Sequence, residues 1–163
     1  MNSLRDSNAN AGFPPTDNHR PWRQVAFGSN SGGAGPLPVI TTLLADPINV
    51  VSTTIDSSGM RDVTNLLIFT STISLPLGIL VNLNFQILRT SEGGATTKVG
   101  STYAFSTLAT ALESESFAFQ FADRNLRPGN YTYSIEISTN SIVDITPGLT
   151  VNNATLSIIA FND

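Results

Sequence analysis

The side chains able to do acid–base, nucleophilic or metal chemistry are few in this sequence and lie far apart. His19 is the single histidine. A Ser-His-Asp arrangement would rest on that one imidazole near the N-terminus, and a metal site with several histidine ligands is excluded by number. There is no cysteine, which removes disulfides, thiolate metal sites and cysteine nucleophiles. Glu113 and Glu115 are the one close pair of carboxylates. At i, i+2 on a strand they share a face, whereas glycoside hydrolysis needs two carboxylates facing each other across roughly 5–10 Å. The pair reads instead as a solvated strand edge that discourages wrong pairing. Asp46, Asp56, Asp62, Asp123 and Asp144 are separated, and no Asp-x-Asp-x-Asp run marks a Ca²⁺ loop. Gly93-Gly94 reads as a turn and not as a phosphate cradle. Asn130-Tyr131-Thr132 and Asn153-Ala154-Thr155 are N-x-Thr sequons, which carry meaning only where glycosylation occurs. The expectation is a protein that is not an enzyme and uses no cofactor or metal.

The chain's 163 residues fit one domain, long enough to bury a core without a staple. Charged residues make up 12%, about half the usual share of roughly 25%. Ser, Thr and Asn fill the polar surface, so copies repel one another weakly and tolerate close packing. Net charge is −4, Lys98 is the single lysine, and the arginines are scattered. The pair Arg20/Arg23 beside Trp22 is no phosphate-binding stripe, so nucleic acid is not an expected partner. Residues 1–15 are polar and lack an apolar core segment, so no signal peptide is expected. No apolar run approaches the roughly 18 residues of a membrane helix.

Period-2 patterning dominates residues 38–163. Strands are expected over 37–44, 48–55, 63–75, 79–88, 98–105, around Phe117-Ala118-Phe119-Gln120-Phe121, over 131–137, 142–145 and 149–161. Turn signals separate them at Asp56–Gly59, Pro76–Gly78, Glu92–Gly94, Arg127–Asn130 and Pro147-Gly148. Thr107 to Leu112 reads as a helical turn. This spacing predicts an all-β, jelly-roll β-sandwich of about eight strands, its core built from the phenylalanines and the Ile/Val/Leu stripes.

Residues 1–37 read as an extended N-terminal arm, distinct from a domain at 38–163. Within the arm, Trp22-Arg23-Gln24-Val25-Ala26-Phe27 has strand character, with Arg23, Val25 and Phe27 on one side. The glycines that follow (Gly28, Gly32, Gly33 and Gly35) read as a flexible tether. Two readings stand side by side. In one, Trp22, Val25 and Phe27 are anchors that dock on a neighbouring subunit by β-augmentation. In the other, the arm is disordered or packs back on its own domain.

Three segments carry a resemblance: Thr72 to Phe85, Glu113 to Phe121 and Pro128 to Ile137. Together they resemble a family of small β domains of unknown function in spore-forming Firmicutes, mainly clostridia, over residues 38–161. That family is similar in layout to subunits of endospore appendages, jelly-roll proteins whose N-terminal connectors reach into the next subunit of a pilus-like fibre. Those relatives carry cysteines in the arm and in the loop corresponding to 122–126. This chain has none there, so disulfide cross-linking between subunits is ruled out. The resemblance implies a self-assembling, homopolymeric structural subunit at the spore surface or outside the cell. The alternatives are a closed oligomer, such as a trimeric jelly roll of the spore surface, or a module that binds carbohydrate or another ligand.

Overall fold

The computed structural model describes residues 24–37, 47–76, 79–109, 111–139 and 148–162. These form eight strands: β1 (Val25–Ala34), β2 (Ile48–Asp56), β3 (Val63–Leu75), β4 (Ile79–Ser91), β5 (Thr96–Ala109), β6 (Glu113–Leu126), β7 (Asn130–Ser138) and β8 (Thr150–Asn162). One sheet has the order β1-β8-β3-β6 and the other β2-β7-β4-β5. All pairings are antiparallel. This is a jelly-roll sandwich, as the strand spacing predicts.

Alternation decides which face each strand buries. Val81, Leu83, Phe85 and Ile87 on β4 and Tyr133, Ile135 and Ile137 on β7 are buried from one sheet. Leu67, Phe69 and Ile73 on β3 and Leu156, Ile158 and Ala160 on β8 meet them from the other. Phe69 and Phe85 touch across the core with centroids 5.7 Å apart. Phe117, Phe119 and Phe121 on β6 are only half-buried, because β6 is an edge strand.

The sequence-based boundary at residue 37 is corrected by β1. Val25 to Ala34 is a strand of the chain's own sheet, in register with β8 from Val25↔Phe161 to Ala34↔Val151. The sandwich therefore starts at Val25. The glycines expected to form a flexible tether serve close approach. On β1, Ala26, Gly28, Asn30, Gly32 and Ala34 alternate with outward residues, and the edge of β2 crosses over these small positions. A Cβ at Gly28 would lie 2.9 Å from the Thr54 carbonyl oxygen, and one at Gly32 would overlap the Val50 carbonyl oxygen. Asn30 closes the same flank, its Nδ2 donating to the Ser52 carbonyl at 2.8 Å. Gly33 sits at the bulge between Gly32 and Ala34, and Gly35 has φ +113° beside the Leu149 carbonyl.

The helical turn expected at 107–112 is also corrected, since β5 runs on to Ala109 and residues 111 and 112 form a bend. Of the strand expected at 37–44 only Leu37 is described, and the strand expected at 142–145 lies outside the described residues. Leu37 is buried, and its N–H donates to the Leu149 carbonyl at 2.8 Å.

Candidate interaction surfaces

The outward rows of the β1-β8-β3-β6 sheet follow from its register. One row reads Phe27, Ile159, Leu66 and Ala122, and the next Ser29, Ser157, Ile68 and Gln120. Val25 pairs with Phe161 at the end of the sheet. Val25 and Phe27 are 63% and 68% exposed; Leu66, Ile68, Ile159 and Phe161 are half-buried. Towards the other end the rows turn polar, with Ser31, Thr155, Thr70 and Ala118, then Thr72 and Ser116, then Ser74 and Ser114. None of these outward positions is ionisable.

The outer face of the second sheet is different. Ser52 pairs with Ser134 at 2.9 Å, Thr54 with Thr132 at 2.8 Å and Thr90 with Thr96 at 2.8 Å through their hydroxyls. Gln86 donates to the Val99 carbonyl at 3.1 Å. These polar groups satisfy one another across strands.

The two ends of the sandwich also differ. One end is formed by the β2–β3 turn, the β4–β5 hairpin and the β6–β7 turn, and it is where the chain enters β1 and leaves β8. A cleft of about 490 Å³ opens there, lined by Arg89, Ser91, Arg124, Leu126, Arg127 and Tyr131 among others. Among the described residues no carboxylate lines it. Beneath it, Arg89 Nη1 bonds both oxygens of Asp123, at 3.1 and 2.9 Å. Tyr133 Oη donates to Asp123 Oδ2 at 2.9 Å, and Asn65 Nδ2 donates to Tyr133 Oη at 2.9 Å. Asp123 is thus consumed by internal donors, and Asn65 Oδ1 is buried without a partner. Burial, and then the Asp123 charge and the bond to it, push the Tyr133 phenol above the ordinary tyrosine range. Tyr131 Oη donates to the Arg127 carbonyl at 2.7 Å, pinning the turn that carries Arg127.

At the opposite end, Leu112 is 80% exposed and Leu108 63% exposed. Exposed Glu113 follows Leu112 into β6, and both border a shallow depression of about 530 Å³ with Ser74, Leu75 and Pro76. Glu115 accepts a hydrogen bond from Thr107 Oγ1 at 2.9 Å.

Of the contact residues read from the sequence, Val25 and Phe27 sit together at the rim of the apolar band, and Trp22 lies outside the described residues. The rest of the band, Leu66, Ile68, Ile159 and Phe161, was not expected from the sequence, which points the phenylalanines and Ile/Val/Leu stripes to the core. Their signal is the loss of alternation in Leu66-Leu67-Ile68-Phe69 and Ile158-Ile159-Ala160-Phe161, runs that place apolar side chains on both faces of the sheet. The arginine cleft has no local signal, because β4, β6 and the β6–β7 turn contribute to it from distant parts of the chain.

No curated protein matches this chain. Among solved structures it is similar to infectious bursal disease virus, Gx strain (13% identity, TM-score 0.47, 86% of this chain and 32% of that one). It is similar also to the D431N mutant VP2 protein of infectious bursal disease virus (10% identity, TM-score 0.48, 99% of this chain and 40% of that one). The chain spans about a third to two-fifths of the length of these viral chains. A CBM4 structure shares 15% identity at a TM-score of 0.27, over 82% of this chain and 89% of that one. At the family level, the profile of a domain of unknown function, DUF4489, matches residues 25–161, from the first residue of β1 to the penultimate residue of β8, and the chain belongs to that family.

Proposed function

We propose that this chain is a non-enzymatic structural subunit that assembles with copies of itself into a fibre, at a spore surface or otherwise outside the cell. The observation that carries this reading is the outer face of the β1-β8-β3-β6 sheet. It bears an apolar band around Val25, Phe27, Ile159 and Leu66 and no ionisable side chain at the outward positions of its register. A band of this kind is ordinarily covered by a partner. With no charge at these paired positions, and exposed Arg124 only beyond them at the end of β6, the band meets a second copy without like-charge repulsion. Val25 and Phe27 are the contact residues, together with Trp22, three positions before Val25 in the sequence.

The test is negative-stain electron microscopy of three proteins: the full chain, a chain lacking residues 1–23, and the Val25→Ser/Phe27→Ser variant. Truncation stops before Val25 because β1 belongs to the sandwich. Filaments from the full chain and dispersed subunits from the Ser variant are expected. The truncated chain reports whether Trp22 and its neighbours are needed as well. Filaments undiminished in both altered proteins overturn the role of this face. Discrete particles of fixed mass from the full chain replace the fibre with a closed oligomer.

A further inference from the structure

Charge is distributed unevenly along the strand direction. Every described basic residue (Arg61, Arg89, Lys98, Arg124 and Arg127) lies in the half of the sandwich that holds the cleft. Exposed Asp56, Asp62 and Glu92 share that half without lining the cleft, whereas the opposite end carries Glu113 and Glu115, beside exposed Leu112, and among the described residues no basic group. Within the cleft, Arg89 is held by Asp123, which fixes its guanidinium at the base. Arg124 and Arg127 are exposed, and among the described residues Arg89–Asp123 is the one ion pair. Like-charged guanidinium groups gathered around one opening in a net-negative protein favour an anionic occupant, and arginine suits a carboxylate.

We infer that the arginine cleft of one copy receives the Leu112–Glu113 corner of the next, so that subunits join head to tail. This rests on the self-assembly reading and assigns its longitudinal contact. Glu113 supplies the carboxylate for Arg124 and Arg127. Leu112 supplies an apolar knob beside it, for the cleft wall formed by Leu126 and Tyr131. The two surfaces are different and sit at opposite ends of the same strand, β6. A contact between unlike patches is heterologous, leaves a free knob and a free cleft at either end of the chain of subunits, and so propagates. The apolar band lies on a sheet face and remains available for contact between neighbouring strands of subunits.

The test uses two one-ended variants of the full chain, Glu113→Arg and Arg124→Glu/Arg127→Glu. All three altered positions are exposed, and circular dichroism confirms that each variant keeps its sheet. Light scattering should show each variant's self-association weakened by at least about tenfold in the concentration required, from like-charge juxtaposition. Mixing the two pairs the intact knob with the intact cleft and the reversed knob with the reversed cleft, so the mixture should regain long assemblies in which the two variants alternate. The combined charge swap in a single chain should restore long assemblies. Association unchanged in both variants, or a mixture that associates no better than either variant alone, overturns the head-to-tail contact while leaving the apolar face standing. A wild-type chain that stays monomeric in the same measurement overturns the assembly reading itself.

Discussion

Asp123 is where single side chains matter most. It is buried on an edge strand, and its oxygens are taken by Arg89 and Tyr133. Asp123→Asn keeps the shape but removes the charge that Arg89 faces. The expected loss is about 1–3 kcal/mol, read as a lower urea midpoint at constant m-value. Tyr133→Phe preserves packing yet strands Asn65 Nδ2 and withdraws a donor from Asp123. It should cost a similar amount, about 1–3 kcal/mol. The two changes share one network, so their double-mutant cycle should be non-additive. The phenol also sets a pH dependence. Burial, reinforced by Asp123, raises its pKa in the folded state above the unfolded value of about 10. Stability from the neutral phenol is then fully present below about pH 10 and declines as pH rises beyond it. Urea midpoints measured across that range should fall for the wild type and fall less for Tyr133→Phe.

Among the elements, β1 separates what sequence patterning reveals from what it hides. Gly32→Ala puts a methyl group against the Val50 carbonyl oxygen, where backbone and not a movable side chain must yield. A loss of about 1–3 kcal/mol is expected from such overpacking, whereas a flexible tether would tolerate the change with almost none. Thermal unfolding of the variant distinguishes the two. The misreading of this segment has a physical cause. Glycine signals conformational freedom when only neighbours in sequence are considered, and close approach when β2 crosses over it. The long strands were legible because a face buried on a core imposes strict alternation, as in Val81 to Ile87. The edge flanks, the apolar band and the arginine cleft depend on which strands end up adjacent, and periodicity does not carry that information. Val25 and Phe27 were legible as a pair on one side of a strand, since that follows from the two-residue period alone.

At the scale of the molecule, the sandwich presents four unlike surfaces: a self-satisfied polar face, a face with an apolar band and no charge at its paired outward positions, and two ends of differing charge. These make opposite demands on solution conditions. An apolar contact through Val25, Phe27 and the band strengthens in salts that are excluded from protein surfaces, such as sulfate. A carboxylate–guanidinium contact at the ends weakens as ionic strength rises, because exposed charges are screened within a Debye length of about 10 Å at 0.1 M. Raising sodium chloride should therefore shorten filaments by releasing head-to-tail contacts before lateral ones. Ammonium sulfate should promote sideways bundling through the apolar face. Filament length and width by electron microscopy along the two salt series check this. In the Val25→Ser/Phe27→Ser variant, whose subunits are dispersed, sulfate should no longer drive bundling, while the residual self-association read by light scattering should still weaken as sodium chloride rises. Length that is indifferent to sodium chloride would mean that the ends are held by something other than charge, and the exposed leucines Leu108 and Leu112 would then become the groups to alter.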